Sequence, residues 1–262
     1  MSEIYLHKAP VLSNDEIANE IYSLKLESPE IAQSNSPGQF INIQTNPGGN
    51  PIWRRPFSIA RIQKDTIEII YKAIGTGTNQ MAALSAGDVS DIIGPLGNTF
   101  SLELSQNVTP LLIGGGLGFA PLIILRDYFV RSGIKPVLFM GALNKSEHYY
   151  TEDTEAELHL TSDDGSLGKP GFVTGALTDY LREHPDGSFQ AFSCGPEPMM
   201  KAVAHVCREN AIPLELSIER EMACGIGLCQ GCAIEQKPPH KKYALVCKDG
   251  PIFNAEHLVF TE

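Results

Sequence analysis

The chain of 262 residues reads as an α/β and all-β multidomain protein: an N-terminal antiparallel β-barrel, a central parallel α/β domain and a small C-terminal module. Three observations predict this. Over residues 1–103, short β-branched runs are separated by Gly and Pro clusters, the rhythm of an antiparallel barrel or sandwich. Over 104–217, apolar strands alternate with helical periodicities, the rhythm of βαβ units and a parallel sheet. Over 218–262 the helix signal fades and cysteines crowd together. A segment that short cannot build its own core and needs a staple or a docking surface.

In the first region, 21–26 and 40–44 alternate, and 66–72 (TIEIIYK) is β-branched and patterned for half-burial. Clusters at 36–38, 46–51 and 94–98 punctuate these runs as turns, and a short helix is expected over 79–84. In the second region strands are expected over 111–113, 136–141, 158–162, 189–193 and 214–218. Helices are expected over 119–131, 175–183 and 197–210.

Composition excludes several classes of function. A hydrophobic fraction of 42% and a charged fraction of 19% are those of a folded globular chain, not of a disordered one. A formal net charge of −11 repels phosphate backbones and anionic lipid, which argues against nucleic-acid or membrane-surface binding. No basic stretch followed by an apolar run opens the sequence, so a cytoplasmic location is expected. The uncharged run 108–125 is long enough to raise a membrane question, but its four glycines and two prolines fit a strand, a glycine turn and a helix start.

The sharpest chemical signal is Cys224-Gly-Ile-Gly-Leu-Cys229-Gln-Gly-Cys232, followed after fourteen residues by Cys247. C-x4-C-x2-C…C is the spacing of plant-type [2Fe–2S] centres. Two bridged irons require four thiolates converging on one small volume. A short loop can deliver three of them and a later element the fourth. Gly225, Gly227 and Gly231 are expected to supply positive φ and to let backbone N–H groups approach the sulfurs. Structural zinc also takes four cysteines, but zinc ribbons usually present two separated C-x2-C knuckles, and this chain has one.

Three further segments each admit two interpretations. Arg55, Pro56, Phe57 and Ser58, with Ile70-Tyr71-Lys72 and Gly77-Thr78 after them, offer a phosphate clamp, an aromatic platform and backbone N–H groups at a helix start. The alternative is a salt-bridged strand end and a plain turn. Gly114, Gly115, Gly116 and Gly118 sit between a buried strand and a helix, where a dinucleotide pyrophosphate binds. They match G-x-G-x-x-G loosely, since Phe119 takes the third glycine position, and a tight strand–helix turn explains them as well. Cys194, Gly195 and Pro196 close a later strand at the ligand-binding edge of an open sheet, although a lone cysteine is more often a small core residue. Cys207, mid-helix, reads as core.

Together the motifs carry a family resemblance. Arg55-Pro56-Phe57-Ser58 resembles the R-x-[YF]-[ST] flavin motif of the ferredoxin-reductase superfamily, and the glycine run and Cys194-Gly195-Pro196 resemble its nicotinamide-domain motifs. With the cysteine extension and its Glu219-Arg220-Glu221-Met222 lead-in, the whole chain resembles the electron-transfer subunits of class 1B dihydroorotate dehydrogenases. Subunits of sulfhydrogenases and of NADH-dependent ferredoxin:NADP oxidoreductases share the layout.

The resemblance implies FAD in the barrel, held through Arg55, Pro56, Phe57, Ser58, Ile70, Tyr71, Lys72, Gly77 and Thr78. It implies NAD in the α/β domain, at Gly114, Gly115, Gly116, Gly118, Cys194, Gly195 and Pro196. A [2Fe–2S] cluster falls to Cys224, Cys229, Cys232 and Cys247. The implied partner is an FMN-containing catalytic subunit that oxidises dihydroorotate in pyrimidine biosynthesis, in a heterotetramer of two of each. Electrons then pass from FMN to the cluster, to FAD and to NAD⁺, and no catalytic residue is assigned to this chain. The chemistry independently favours that order: NAD takes hydride, an iron–sulfur cluster carries one electron, and a flavin handles both. NAD is expected over NADP because 141–148 holds no Arg to grip a 2′-phosphate, although Lys145 lies there. A free-standing NADH:acceptor reductase and a zinc-stapled nucleotide-binding regulator are the competing functions.

Overall fold

The computed structural model of the chain describes residues 3–46 and 51–260, so most of the turn cluster expected over 46–51 lies outside the described residues. The first sheet comprises β1 (Tyr5–Ala18), β2 (Ile21–Glu27), β3 (Phe40–Gln44), β4 (Arg55–Ser58), β5 (Arg61–Gln63), β6 (Thr66–Lys72) and β7 (Val89–Leu96), with α1 (Pro29–Ser34) and α2 (Thr76–Ala82) in its connections. Its order is β4-β3-β7-β1-β2-β6-β5 and all its pairs are antiparallel. The sheet curls because β1 serves both halves. Its first residues pair with β7, its last with β2, and the ladder to β2 is irregular at Val11/Ser13 and Glu16/Ala18. Such bulges increase local twist and bend a strand. The inward residues Leu24, Ile41, Ile69 and Ile92 are fully buried and fill the curl.

The second sheet begins with β8 (Val108–Gly115), which leads through a 3₁₀ turn (Gly116–Phe119) into α3 (Ala120–Arg131). β9 (Val137–Ala142), β10 (Glu157–Ser162), β11 (Lys169–Pro170), α4 (Val173–Glu183), β12 (Ser188–Cys194), α5 (Glu197–Glu209) and β13 (Leu214–Ser217) follow. The order is β11-β10-β9-β8-β12-β13, all parallel. The chain winds outward from β8 to one side and returns on the other through β12. The switch point therefore lies between β8 and β12, and open α/β sheets bind ligands at the carboxyl ends of such a pair.

The C-terminal stretch contains a hairpin of β14 (Ala233–Glu235) and β15 (Tyr243–Leu245), then α6 (Val246–Asp249) and β16 (Ile252–Asn254). β16 joins the second sheet antiparallel to β13. Cys232, Ile234, Val246, Cys247 and Leu258 bury into the same apolar cluster as Leu111, Ile113 and Leu216. The docking surface that the short module requires is thus the edge of the parallel sheet.

Element ends shift for local reasons. The helix expected over 79–84 starts at Thr76, where the Thr78 hydroxyl accepts the N–H groups of Ile74 and Gly75 at 3.1 Å each. The helix expected from 119 is preceded by the glycine-rich 3₁₀ turn, and that expected from 175 begins at Val173. Ion pairs lock the two large sheets together. Arg61 Nε meets Asp127 at 3.1 Å, and Lys72 Nζ meets Glu147 at 2.8 Å. Phe100, in the connection, packs edge-on against Phe192 with centroids 5.6 Å apart.

Candidate functional site

The four cysteines expected to ligate come together. Backbone N–H groups reach every sulfur. Leu228 and Cys229 donate to Cys224 Sγ at 3.3 Å each, Gly231 to Cys229 Sγ at 3.5 Å, Cys247 to Cys232 Sγ at 3.4 Å, and Gly227 to Cys247 Sγ at 3.2 Å. Donors of this kind stabilise thiolate over thiol. Burial raises the Cys224 thiol, but hydrogen bonds from Cys229, Ile226 and Leu228 outweigh it and bring the group down to about 6. Burial, then the hydrogen bond and charge of Cys232, push Cys247 up to about 12. Four sulfurs, each met by a backbone donor, fit the ligand set of a [2Fe–2S] cluster.

One expectation about this loop needs correction. Gly225 and Gly227 have φ of +69° and +84°, but Gly231 does not; the third left-handed residue is Gln230 at +59°. A Cβ at Gly231 would lie in ordinary contact with Cys229 Sγ, at 3.7 Å, so neither φ nor space requires glycine there.

A cleft of about 910 Å³ opens where the barrel, the glycine turn and the cysteine loop meet. Arg55, Pro56, Phe57 and Ser58 line it from β4, Ile70, Tyr71 and Lys72 from β6, Leu117 from the 3₁₀ turn, and Gly231 from the cysteine loop. The structure separates the two adjacent arginines. Arg54 is the salt-bridged one, Nη2 to Asp91 Oδ1 at 2.6 Å. Arg55 donates at 2.8 Å to the Trp53 carbonyl and, more weakly, to that of Arg54, which leaves guanidinium N–H groups for an anion in the cleft. Tyr71 presents little surface: it is 1% exposed, donates to Asn14 Oδ1 at 3.0 Å and stacks on Tyr22, and burial raises its hydroxyl to about 12. The Lys72 ammonium is paired with Glu147. Thr78 lines the cleft, and Gly77 lies buried beside Thr45, where a Cβ would sit 3.0 Å from Thr45 Oγ1. Their N–H groups precede the first intrahelical bond, from Asn79 to the Gly75 carbonyl.

At the switch point the glycines divide by role. Cβ atoms at Gly114, Gly115 and Gly118 would lie 2.7 Å from Phe119 Cα, 2.5 Å from Met199 Sδ and 2.4 Å from Gly195 Cα. Gly114 lets the turn fold back on Phe119, and Gly115 and Gly118 let it pack against Met199 and the 194–196 loop. Gly116 differs: its φ is +54° and a Cβ there would meet nothing within 4 Å, so the backbone is open to a ligand. Cys194 is fully buried, its Sγ 4.0 Å from Glu219 Oε1, and burial followed by the Glu219 charge pushes its pKa well up. Gly195 has φ +153° and Pro196 caps α5. Cys207 is core, at 1% exposure.

Sequence reasoning missed two residues here. The Tyr149 hydroxyl donates to the carbonyls of Gly116 and Leu117 at 3.2 and 3.3 Å and holds the glycine turn from a loop 32 residues on. Asn42, fully buried on β3, donates from Nδ2 to the Cys224 carbonyl at 3.3 Å. A tyrosine in a loop carries no local signal. An asparagine inside FINIQ, an otherwise apolar strand, does carry one.

A curled antiparallel sheet beside a parallel sheet, with a cofactor-sized cleft between them and a thiolate loop at its mouth, defines an NAD-linked oxidoreductase of ferredoxin-reductase type. Comparison with known proteins agrees. Residues 219–259 match the iron–sulfur cluster binding domain of dihydroorotate dehydrogenase B, and 112–205 match an oxidoreductase NAD-binding domain. The dihydroorotate dehydrogenase B (NAD(+)) electron transfer subunit of Fusobacterium nucleatum is 36% identical over 250 residues, 94% of this chain and 95% of that one. The subunit of the same name from Bacillus pumilus is 36% identical over the full length of both chains. An NADH-dependent reduced ferredoxin-NADP oxidoreductase, solved for its flavin-based electron bifurcation, superposes with a TM-score of 0.84 at 27% identity over 96% of this chain and 89% of that one. The chain belongs to the family of dihydroorotate dehydrogenase B electron transfer subunits. The expected cofactor set of [2Fe–2S], FAD and NAD is borne out at the level of this family and fold. No helix among the described residues is long and apolar enough to cross a membrane.

Proposed function

We propose that this chain joins an FMN-containing, dihydroorotate-oxidising subunit to NAD⁺, carrying electrons by way of a [2Fe–2S] cluster and FAD. The observation that carries this is the cleft, bordered at once by the RPFS strand, the turn after β8 and the cysteine loop. When bound, a flavin in that cleft converts between the one-electron chemistry of the cluster and the hydride chemistry of NAD.

We assign FAD to the segment 1–103, NAD to 104–217 and the cluster to 218–262. Arg55 clamps the flavin pyrophosphate, with N–H groups of Gly77 and Thr78 beside it, and Phe57 flanks the ring system. Pro56, Ser58, Ile70, Tyr71 and Lys72 shape the wall. Gly116 admits the NAD pyrophosphate. Gly115 and Gly118 hold the turn against Cys194, Gly195 and Pro196, and Gly114 makes room for Phe119. Cys224, Cys229, Cys232 and Cys247 would hold the cluster.

The cysteine loop also faces outward. Ile226 is 42% and Leu228 77% exposed, an apolar tip beside the ligands that suits docking of the catalytic subunit. Two copies of each subunit make the assembly. Four free thiols held for iron require a reducing compartment, which supports the cytoplasm.

The test is anaerobic purification, alone and after coexpression with an FMN-containing dihydroorotate dehydrogenase. The chain should carry roughly two irons and two labile sulfides, with one FAD, and the complex should reduce NAD⁺ with dihydroorotate. Stoichiometric zinc without sulfide overturns the cluster assignment. A chain that assembles with sulfhydrogenase-type subunits instead overturns the partner.

A further inference from the structure

We infer that Asn42 is the positioning residue that fixes the cysteine loop against the flavin-binding strand, and that its amide sets electron passage between the two centres. This rests on the cluster and flavin assignments above. Four observations lead to it. Asn42 stands in β3 between Ile41 and Ile43, both fully buried, and is itself 0% exposed. Its Nδ2 donates to the carbonyl of Cys224, a ligand 182 residues away. Its backbone pairs directly with Pro56, the second residue of the RPFS strand. Finally, Gly225 is shaped around it: φ is +69°, and a Cβ there would overlap Asn42 Nδ2 at 2.0 Å.

Stability alone does not account for this residue. Asn42 Oδ1 is buried with no hydrogen-bond partner. A buried acceptor left unpaired is unfavourable, and an apolar side chain there would carry no such penalty. A residue that breaks the local rule in a core strand marks a functional constraint. The β3–β7 ladder slips by one residue between Phe40 and Asn42, with the extra residue on β7. The Arg54 guanidinium, anchored on Asp91, reaches the Asn42 carbonyl at 3.5 Å. One residue thus spans from the strand lining the flavin cleft to the backbone of an iron ligand. Electron transfer falls steeply with separation, so the fold's control of that spacing is control of the rate.

The test uses the purified holoprotein with Asn42→Leu, which keeps the branched outline and removes the amide, and Asn42→Ser, which keeps a donor of shorter reach. NADH should bleach the flavin at the wild-type rate in both. Cluster reduction, followed by electron paramagnetic resonance of freeze-quenched samples, should slow by about 10- to 100-fold in Asn42→Leu, the range found for groups that orient a metal's ligands. The g-values of the reduced cluster should shift, with Asn42→Ser between the two. Iron and sulfide lost while FAD and NADH:dye activity persist supports the same conclusion, because the loop then needs Asn42 to hold its ligands. Wild-type spectra and cluster-reduction rates in Asn42→Leu overturn the inference. So does loss of FAD together with iron in both variants, which makes Asn42 part of the barrel core only. A wild-type protein without iron and sulfide overturns the cluster assignment instead.

Discussion

The cysteine loop and the turn after β8 are both glycine-rich segments at a sheet edge, yet they are built on opposite principles. The cysteine loop turns inward on itself: N–H groups of residues 227–231 reach sulfurs of the same loop and of Cys247, and two of its glycines take left-handed φ. The β8 turn is held from outside. Gly115 and Gly118 are small because Met199 and Gly195 occupy the space, and Tyr149 ties down the carbonyls. A loop whose chemistry is local declares itself through spacing. A loop whose shape depends on distant neighbours does not, and only Gly116 of its four glycines is free to meet a ligand.

The largest effect expected from breaking this contrast is at Cys232, which is 2% exposed and shared between the cysteine loop and the apolar cluster. Cys232→Ala should remove iron, labile sulfide and visible cluster absorbance altogether, and dihydroorotate-driven NAD⁺ reduction with them. NADH:dye reduction should persist, since the β8 turn and most of the cleft wall come from other segments. Circular dichroism and gel filtration should confirm that the variant remains folded. Full NAD⁺ reduction by a folded, cluster-free complex would sink the proposed route.

Next come the two kinds of glycine. Gly118→Ala drives a Cβ into the backbone of Cys194 and Gly195, so overpacking should cost up to about 3 kcal/mol, read in thermal or urea unfolding. Gly116→Ala meets no atoms, and only its left-handed φ opposes it, a penalty of about 1 kcal/mol. Its main effect should be a higher KM for NADH. Equal destabilisation by the two substitutions would mean that the division of roles along the turn is wrong.

The adjacent arginines sharpen the comparison on the barrel side. Arg55→Ala should weaken FAD binding by about 1.5–3 kcal/mol, roughly tenfold to a hundredfold, with the fold intact. Arg54→Ala should leave flavin affinity unchanged and lower stability by less than about 1 kcal/mol, because it breaks a partly exposed ion pair with Asp91. FAD retention through gel filtration distinguishes them, and equal retention would make Arg55 structural.

The smallest effect concerns pH. His148 is 6% exposed, and its Nε2–H donates to the Thr161 carbonyl at 2.9 Å, so Nδ1 is the unprotonated nitrogen. Burial lowers its pKa below the usual histidine value. The unfolded chain therefore binds a proton near pH 6.5 that the folded chain refuses. The contribution of His148 is full above that pH and declines as pH falls through it, by about 1 kcal/mol at most across two units. The melting temperature should drop more between pH 7.5 and 5.5 in the wild type than in His148→Gln. Identical pH slopes would show that His148 is not the titrating group.

What the sequence determined by itself was local. The β-branched run became β6 with the bounds Thr66–Lys72, and C-x4-C-x2-C marked the cysteine loop, because strand pleat and cluster geometry each impose a fixed short-range spacing. Even within that loop the third left-handed residue proved to be Gln230 and not Gly231, since φ depends on how the loop closes and not on residue type alone. Tertiary structure decided everything that required a second segment: that β1 bends to serve both halves of the curled sheet, that β16 docks the cysteine module on the parallel sheet, that Arg54 is paired while Arg55 faces the cleft, and that Asn42 meets Cys224 across 182 residues. The physical reason is the same in each case. Burial and hydrogen-bond partners are supplied by residues distant in the chain, and no short window of sequence contains both sides of such a contact.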